Sequence, residues 1–245
     1  MMSPVQQQYL DAMGITVWQR RTPPLSKSAE SGSATIPVNQ SERPVEHISP
    51  PALIDVVHMT WPELERAVAD CQRCSLCEER KKSVLGEGSP QAEIMFVAAM
   101  PDATEEQSGR PIAGAAGALF NAMLQSIGLN RQEVYITHLN KCRSPNDRSA
   151  SSEERMLCDT YLQRQIALLQ PTVIVLLGDS VAQALLKTEQ SLHELRNSLH
   201  YFGDQRIPLL VSYHPSSLIN HGIEKRQAWH DLMQIKQWLT KAQET

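Results

Sequence analysis

Five cysteines carry the most chemistry in this sequence. Cys71 and Cys74 form a CxxC pair, Cys77 follows three residues later, and Cys142 and Cys158 lie far downstream. A CxxC pair alone is open to redox, zinc or iron–sulfur chemistry, and four thiolates are soft ligands suited to Zn²⁺ or a cluster. The set C-x2-C-x67-C-x15-C is too widely spread for a zinc ribbon, which joins two close CxxC units. It suits a site that staples the start of a domain to a loop and a helix from its middle. The bland alternative is a set of buried apolar thiols, since free cysteine packs as a small hydrophobe. Cys158 fits that alternative more easily than the Cys71/Cys74 pair, which sits among Gln, Arg and Ser.

These residues need elements to hold them. Residues 22–52 carry six prolines and six serines with no aromatic residue, the composition of a tether that cannot repay the entropy of ordering. From Trp61 the chain becomes dense. Helical patterns cover 61–74, 116–129, 152–170, 180–187 and 225–243, and apolar strand patterns cover 93–100, 134–140, 172–178 and 206–213. The run 172–178 is apolar on both faces, as a central parallel strand requires. Four strands separated by helices predict a three-layer αβα sandwich around a mainly parallel four-stranded sheet.

The whole chain has 245 residues, with 23 Lys and Arg against 27 Asp and Glu, a formal net charge of −4. No overall positive field drives sequence-blind binding to nucleic acid, so any DNA contact is expected to be local or weak. No apolar run is long enough for a membrane span, and the first residues carry no export signal. A cytoplasmic location follows as an expectation, and there cysteines are seldom structural disulfides.

The stretch from Cys71 to about Ile219 is similar to the family 4, iron–sulfur, uracil-DNA glycosylases. The resemblance rests on CQRCSLCEERKKSVLGEGSP, SGRPIAGAAGALF, VYITHLNKCRSP, the helix containing Cys158, TVIVLLG and YHPSSL, in that order. It implies a [4Fe-4S] cluster held by Cys71, Cys74, Cys142 and Cys158, with Cys77 spare or replacing Cys74. It also implies where the catalytic groups belong, and there this sequence departs from the pattern. Ala99 stands at the family's water-handling carboxylate in the segment Ala98-Ala99-Met100-Pro101-Asp102. Ile112 stands at the stacking aromatic, and His138 at the asparagine that reads uracil. Glu105 matches a second acidic position, and His214 matches the histidine that stabilises the leaving base. Asn140 is placed by strand alternation on the same face as His138. A nucleophilic His138 is the sharper alternative to a pocket that has drifted, leaving His214, His138 and Glu105 as vestiges.

Ahead of the tether, residues 9–21 read YLDAMGITVWQRR. This peptide resembles the amino terminus of ψ subunits of bacterial DNA polymerase III. The resemblance implies a docking peptide (1–21), a linker (22–58) and a glycosylase-like domain (59–245). Leu10, Met13, Ile15 and Trp18 would bury in the clamp-loader collar formed by τ/γ subunits, with Arg20 and Arg21 at the rim. The domain would bind the χ subunit and, through it, single-strand-binding protein at the replisome on the nucleoid. The expectation is therefore a non-catalytic adaptor rather than an enzyme. An active glycosylase and a cluster-bearing DNA-binding module are the rivals.

Overall fold

The computed structural model describes residues 55–243, of which the side chains of 220 and 240–243 are not described. The docking peptide and most of the linker lie outside the described residues. A single 3-10 turn, Val56–His58, leads into the domain.

The sheet has six strands: β1 (Glu87–Gly88), β2 (Ile94–Ala98), β3 (Tyr135–His138), β4 (Val173–Leu177), β5 (His200–Phe202) and β6 (Ile207–Ser212). Their order is β1-β3-β2-β4-β6-β5. The four inner strands are parallel, and the two outer strands pair antiparallel with β3 and β6. The expected parallel core is therefore present, and the sheet is wider than expected by two edge strands. Those edges are two and three residues long, too short to carry a pattern of alternation.

β2 and β4 are buried at all five of their positions, because helices cover both faces of the sheet. On one face Met95, Val97, Ile174, Leu176, Leu209 and Val211 pack against residues that include Leu162 and Val181. These come from α5 (Ser152–Leu169) and α6 (Asp179–Leu186), with α7 (Leu192–Arg196) alongside. On the other face Phe96, Ile136, Val175 and Leu210 meet Phe120, Leu124, Leu232 and Ile235. Those residues belong to α4 (Gly114–Ser126) and α9 (Gly222–Gln243). The layering is the αβα sandwich that the patterning predicts.

The remaining helices are short or peripheral. α1 (Trp61–Ala69) opens on a capping box between Thr60 and Glu63 and packs Leu64 and Val68 against Tyr161 of α5. α2 (Leu76–Glu79) follows the CxxC pair, α3 (Ala103–Ser108) follows β2, and α8 (Pro215–Asn220) follows β6. α5 stops where Gln170 takes a left-handed conformation just before Pro171, as expected from the sequence.

Candidate active site

The carboxyl ends of β2, β3 and β6 place the polar groups, the usual position for a site in an open parallel sheet. Ala98 and His138 are register partners at the ends of β2 and β3. His138 is fully buried, and neither of its ring nitrogens has a hydrogen-bond partner. Its Nε2 lies 3.4 Å from Glu105 Oε1, close enough for attraction but not aligned for a hydrogen bond.

Glu105 is held firmly despite the altered loop before it. It occupies the third position of α3, where Asp102 and Glu105 form a reciprocal capping box. Asp102 Oδ1 accepts from Glu105 N at 2.8 Å, and Glu105 Oε2 accepts from Asp102 N at 2.6 Å. The Asp-x-x-Glu spacing that builds this box was present in the sequence and would have revealed the helix. Glu105 Oε1 also accepts from Ile112 N. Burial alone would raise the Glu105 carboxyl, but His138 and these two backbone donors bring it below its ordinary value. A buried, ionised carboxylate therefore faces the site.

His214 is the N-cap of α8. Its Nδ1 lies 3.2 Å from Ser216 N, whose hydrogen it accepts, and 2.7 Å from Ser216 Oγ. Accepting at Nδ1 assigns the ring hydrogen to Nε2. Burial pulls the His214 imidazole down to about 4, reinforced by His138 and opposed by Glu105 and Asp102. The four residues thus share one electrostatic environment, with a neutral histidine and a carboxylate on the same side of the sheet.

Ile112 closes this side. It is buried, and its φ of 47° is a left-handed conformation that a β-branched side chain rarely adopts. Three groups hold it there. Glu105 accepts its amide, while Arg131 donates to Ile112 O at 3.3 Å and to Pro111 O. Gly117 lets α4 approach, since a Cβ there would sit 2.4 Å from Ile112 O. Strained backbone held by several partners is a common mark of functional sites.

Asn140 does not join His138. The strand ends at His138, the chain turns, and Asn140 Nδ2 donates instead to Glu154 O of α5 at 3.2 Å. Beyond this turn a cleft of about 510 Å³ is lined by residues including Ala99, Met100, Arg148, Arg155 and Ser180.

The cysteines gather nearby. Cys71, Cys74, Cys142 and Cys158 line one small cavity together with Asn140, Lys141 and Tyr161, and Cys77 is not among its walls. The CxxC segment is fastened to α5 by Ser75 Oγ donating to Glu154 at 3.0 Å and Arg73 donating to Thr160 at 2.7 Å. Two donors reach the sulfurs: Arg80 Nη1 to Cys142 Sγ at 3.0 Å, and Lys141 N to Cys158 Sγ at 3.3 Å. Burial pushes the Cys158 thiol up to about 11 and raises Cys74 and Cys142 as well. Burial also lowers the Lys141 amine from its ordinary value, and the neighbouring Cys158 acts in the opposite direction. The ring is looser than a single-ion site: among the described residues no three His, Cys, Asp or Glu side chains are placed to hold one metal ion.

Comparison with known proteins bears on this arrangement. Residues 85–233 match the family model described as the uracil DNA glycosylase superfamily. The chain is 34% identical over 180 residues to the type-4 uracil-DNA glycosylase of Saccharolobus solfataricus, covering 71% of this chain and 83% of that protein. The type-4 enzyme of Sulfurisphaera tokodaii is 36% identical over 171 residues, covering 66% of this chain and 78% of its own length. That of Archaeoglobus fulgidus is 32% identical over 189 residues, covering 75% and 95%.

These matches overturn the expectation of a non-catalytic ψ-type adaptor. They support an enzyme and give no support to a polymerase III ψ identity or a clamp-loader role. The adaptor expectation leaned on Ala99 standing at a carboxylate position, yet the capping box keeps a buried carboxylate, Glu105, 3.4 Å from His138. Profile and relatives agree over most of the globular part, and the chain belongs to the uracil-DNA glycosylase superfamily, alongside its type-4 members.

Proposed function

We propose that this protein hydrolyses the N-glycosidic bond of deoxyuridine in DNA, releasing uracil and leaving an abasic sugar. The observation that carries the reading is His214, a neutral imidazole whose Nδ1 is occupied by Ser216 and whose Nε2–H is left to donate. As the C1′–N1 bond breaks, its electron pair leaves on the base and negative charge develops on the uracil oxygens. A fixed neutral donor stabilises that charge in the transition state. The ionised Glu105 supplies negative charge opposite the positive charge that develops on the sugar. Water adds its hydroxyl to C1′, and its proton ends on the released base. His138 offers unpaired ring nitrogens to the base edge, and Ile112 supplies an apolar wall where relatives stack a ring. Arg148 and Arg155 in the adjoining cleft are suited to DNA phosphates.

The reading extends to a [4Fe-4S] cluster held by Cys71, Cys74, Cys142 and Cys158. Four thiols around one cavity, with two N–H groups on their sulfurs, fit such a group, and the cavity favours Cys74 over Cys77 as the fourth ligand. The cluster would supply a cross-link among α5, the CxxC segment and the turn after β3.

The decisive assay is release of free uracil from single-stranded DNA containing deoxyuridine. Turnover by the native chain that collapses in His214→Ala is expected. No base release from cluster-loaded protein would refute the reading.

A further inference from the structure

Lys141 is one of the most deeply buried side chains of the domain, with a relative exposure of 1%. Lysine is almost never buried to this extent without an anionic partner. Its ammonium is held by neutral oxygens: Thr137 Oγ1 at 2.7 Å, Gln165 Oε1 at 2.6 Å and the His138 carbonyl at 2.5 Å. The ion pairs among the described residues include none between Lys141 and a carboxylate. Neutral dipoles solvate a buried cation but do not neutralise it.

Asp159 of α5 favours the charged amine without touching it, but Cys158 does so more strongly, which places the main counter-charge at the cysteine ring. Lys141 precedes Cys142, its backbone N–H reaches Cys158 Sγ at 3.3 Å, and it lines the cavity shared by the four cysteines. Four thiolates outweigh the positive charge of an iron–sulfur core, so a loaded ring is an anion, with Cys142 its most buried member. Arg80 also reaches the ring, but it is only partly buried and its charge is shared with water. Lys141 is the cation that solvent does not screen.

We propose that Lys141 is the buried counter-cation of the cysteine ring, setting the cluster's reduction potential and tying the ring's charge to the catalytic end of β3. The second half of this assignment follows from the ammonium's contact with the His138 carbonyl, which belongs to the residue facing Glu105. In the loaded protein a more negative ring would draw the ammonium towards it and loosen its hold on that carbonyl. Net charge and hydrogen bonding are the protein's usual means of setting cluster potentials. The inference rests on the cluster reading above and assigns the residue that tunes it.

The test uses the full chain, purified anaerobically, as native protein, Lys141→Met and Lys141→Arg. Iron and sulfide content and visible absorption report the cluster, and voltammetry reports its one-electron potential. Lys141→Met is expected to keep the cluster at a potential below the native value, because a neutral neighbour favours the oxidised form. Lys141→Arg should stay close to native. Deuterium exchange over residues 135–140 should depend on cluster oxidation state in the native chain and lose that dependence in Lys141→Met. Should the methionine not be tolerated, Lys141→Gln carries the same expectation while keeping a donor for the carbonyl. Loss of the cluster from both neutral variants but not from Lys141→Arg also supports a counter-charge. A native potential in either neutral variant, with iron and sulfide complete, overturns the assignment while leaving the cluster reading intact. Native protein without iron overturns the cluster reading and this inference together.

Discussion

At the scale of single residues, the site is defined by what surrounds two histidines and one carboxylate. Replacing His214 by alanine removes the donor aimed at the departing base, and should lower kcat by about 10²–10³. Single-turnover release of uracil under saturating enzyme would measure this directly. The neutral imidazole also fixes a pH dependence. Because His214 titrates near 4 in the fold rather than at its ordinary 6.5, the acid limb of kcat/KM that reports its protonation should fall near 4. The same depression acts on stability. The unfolded chain binds this proton more readily, so the contribution is complete above about 6.5 and is lost as pH falls through about 4. Urea midpoints of the native chain and of His214→Ala, measured at several pH values in that window, would separate this residue from other acid-sensitive groups.

Among the elements, the patterns of apolar residues were a good guide where elements were long. The inner strands and α1, α4, α5, α6 and α9 all lie where periodicity places them, because each buries a face or a stripe large enough to leave a signature. α3 escaped notice because six residues, two of them buried glutamates, show no apolar stripe. Its only signal was the Asp102/Glu105 box. Asn140 was misplaced because alternation holds only while the strand continues, and nothing in the sequence marks its end at His138. The ring of four cysteines was legible through family resemblance and not through spacing, since fold topology alone brings Cys142 and Cys158 to the CxxC segment.

One buried pair joins three of these elements. Arg196 of α7 forks onto Asp231 of α9 at 2.6 and 2.9 Å, and Ser212 of β6 donates to the same carboxylate at 2.6 Å. Asp231→Ala strands the guanidinium in the interior and should cost about 3–5 kcal/mol. A shift in the midpoint of chemical unfolding would report it, and Asp231→Asn, which keeps part of the hydrogen bonding, should cost less.

For the molecule as a whole, the ring of thiols is expected to bear on stability as well as on colour. If the ring holds the proposed cluster, Cys158→Ser loses iron, visible absorption and melting temperature together, at about 2–4 °C for each kcal/mol lost in a domain of this size. Cys77→Ser should retain all three, because Cys77 is not among the walls of the shared cavity. Calorimetry alongside an iron assay on the two variants would make the comparison. No helix among the described residues is long and apolar enough to cross a membrane.

The stub-like margins of the sheet have a bearing on crowding. β1 offers two residues and β5 three, where a newcomer would need a longer row of free amides and carbonyls to zip alongside. Among the described residues, copies brought together at high local concentration therefore find no long template for strand-by-strand growth, and the inner parallel ribbons stay closed to neighbours.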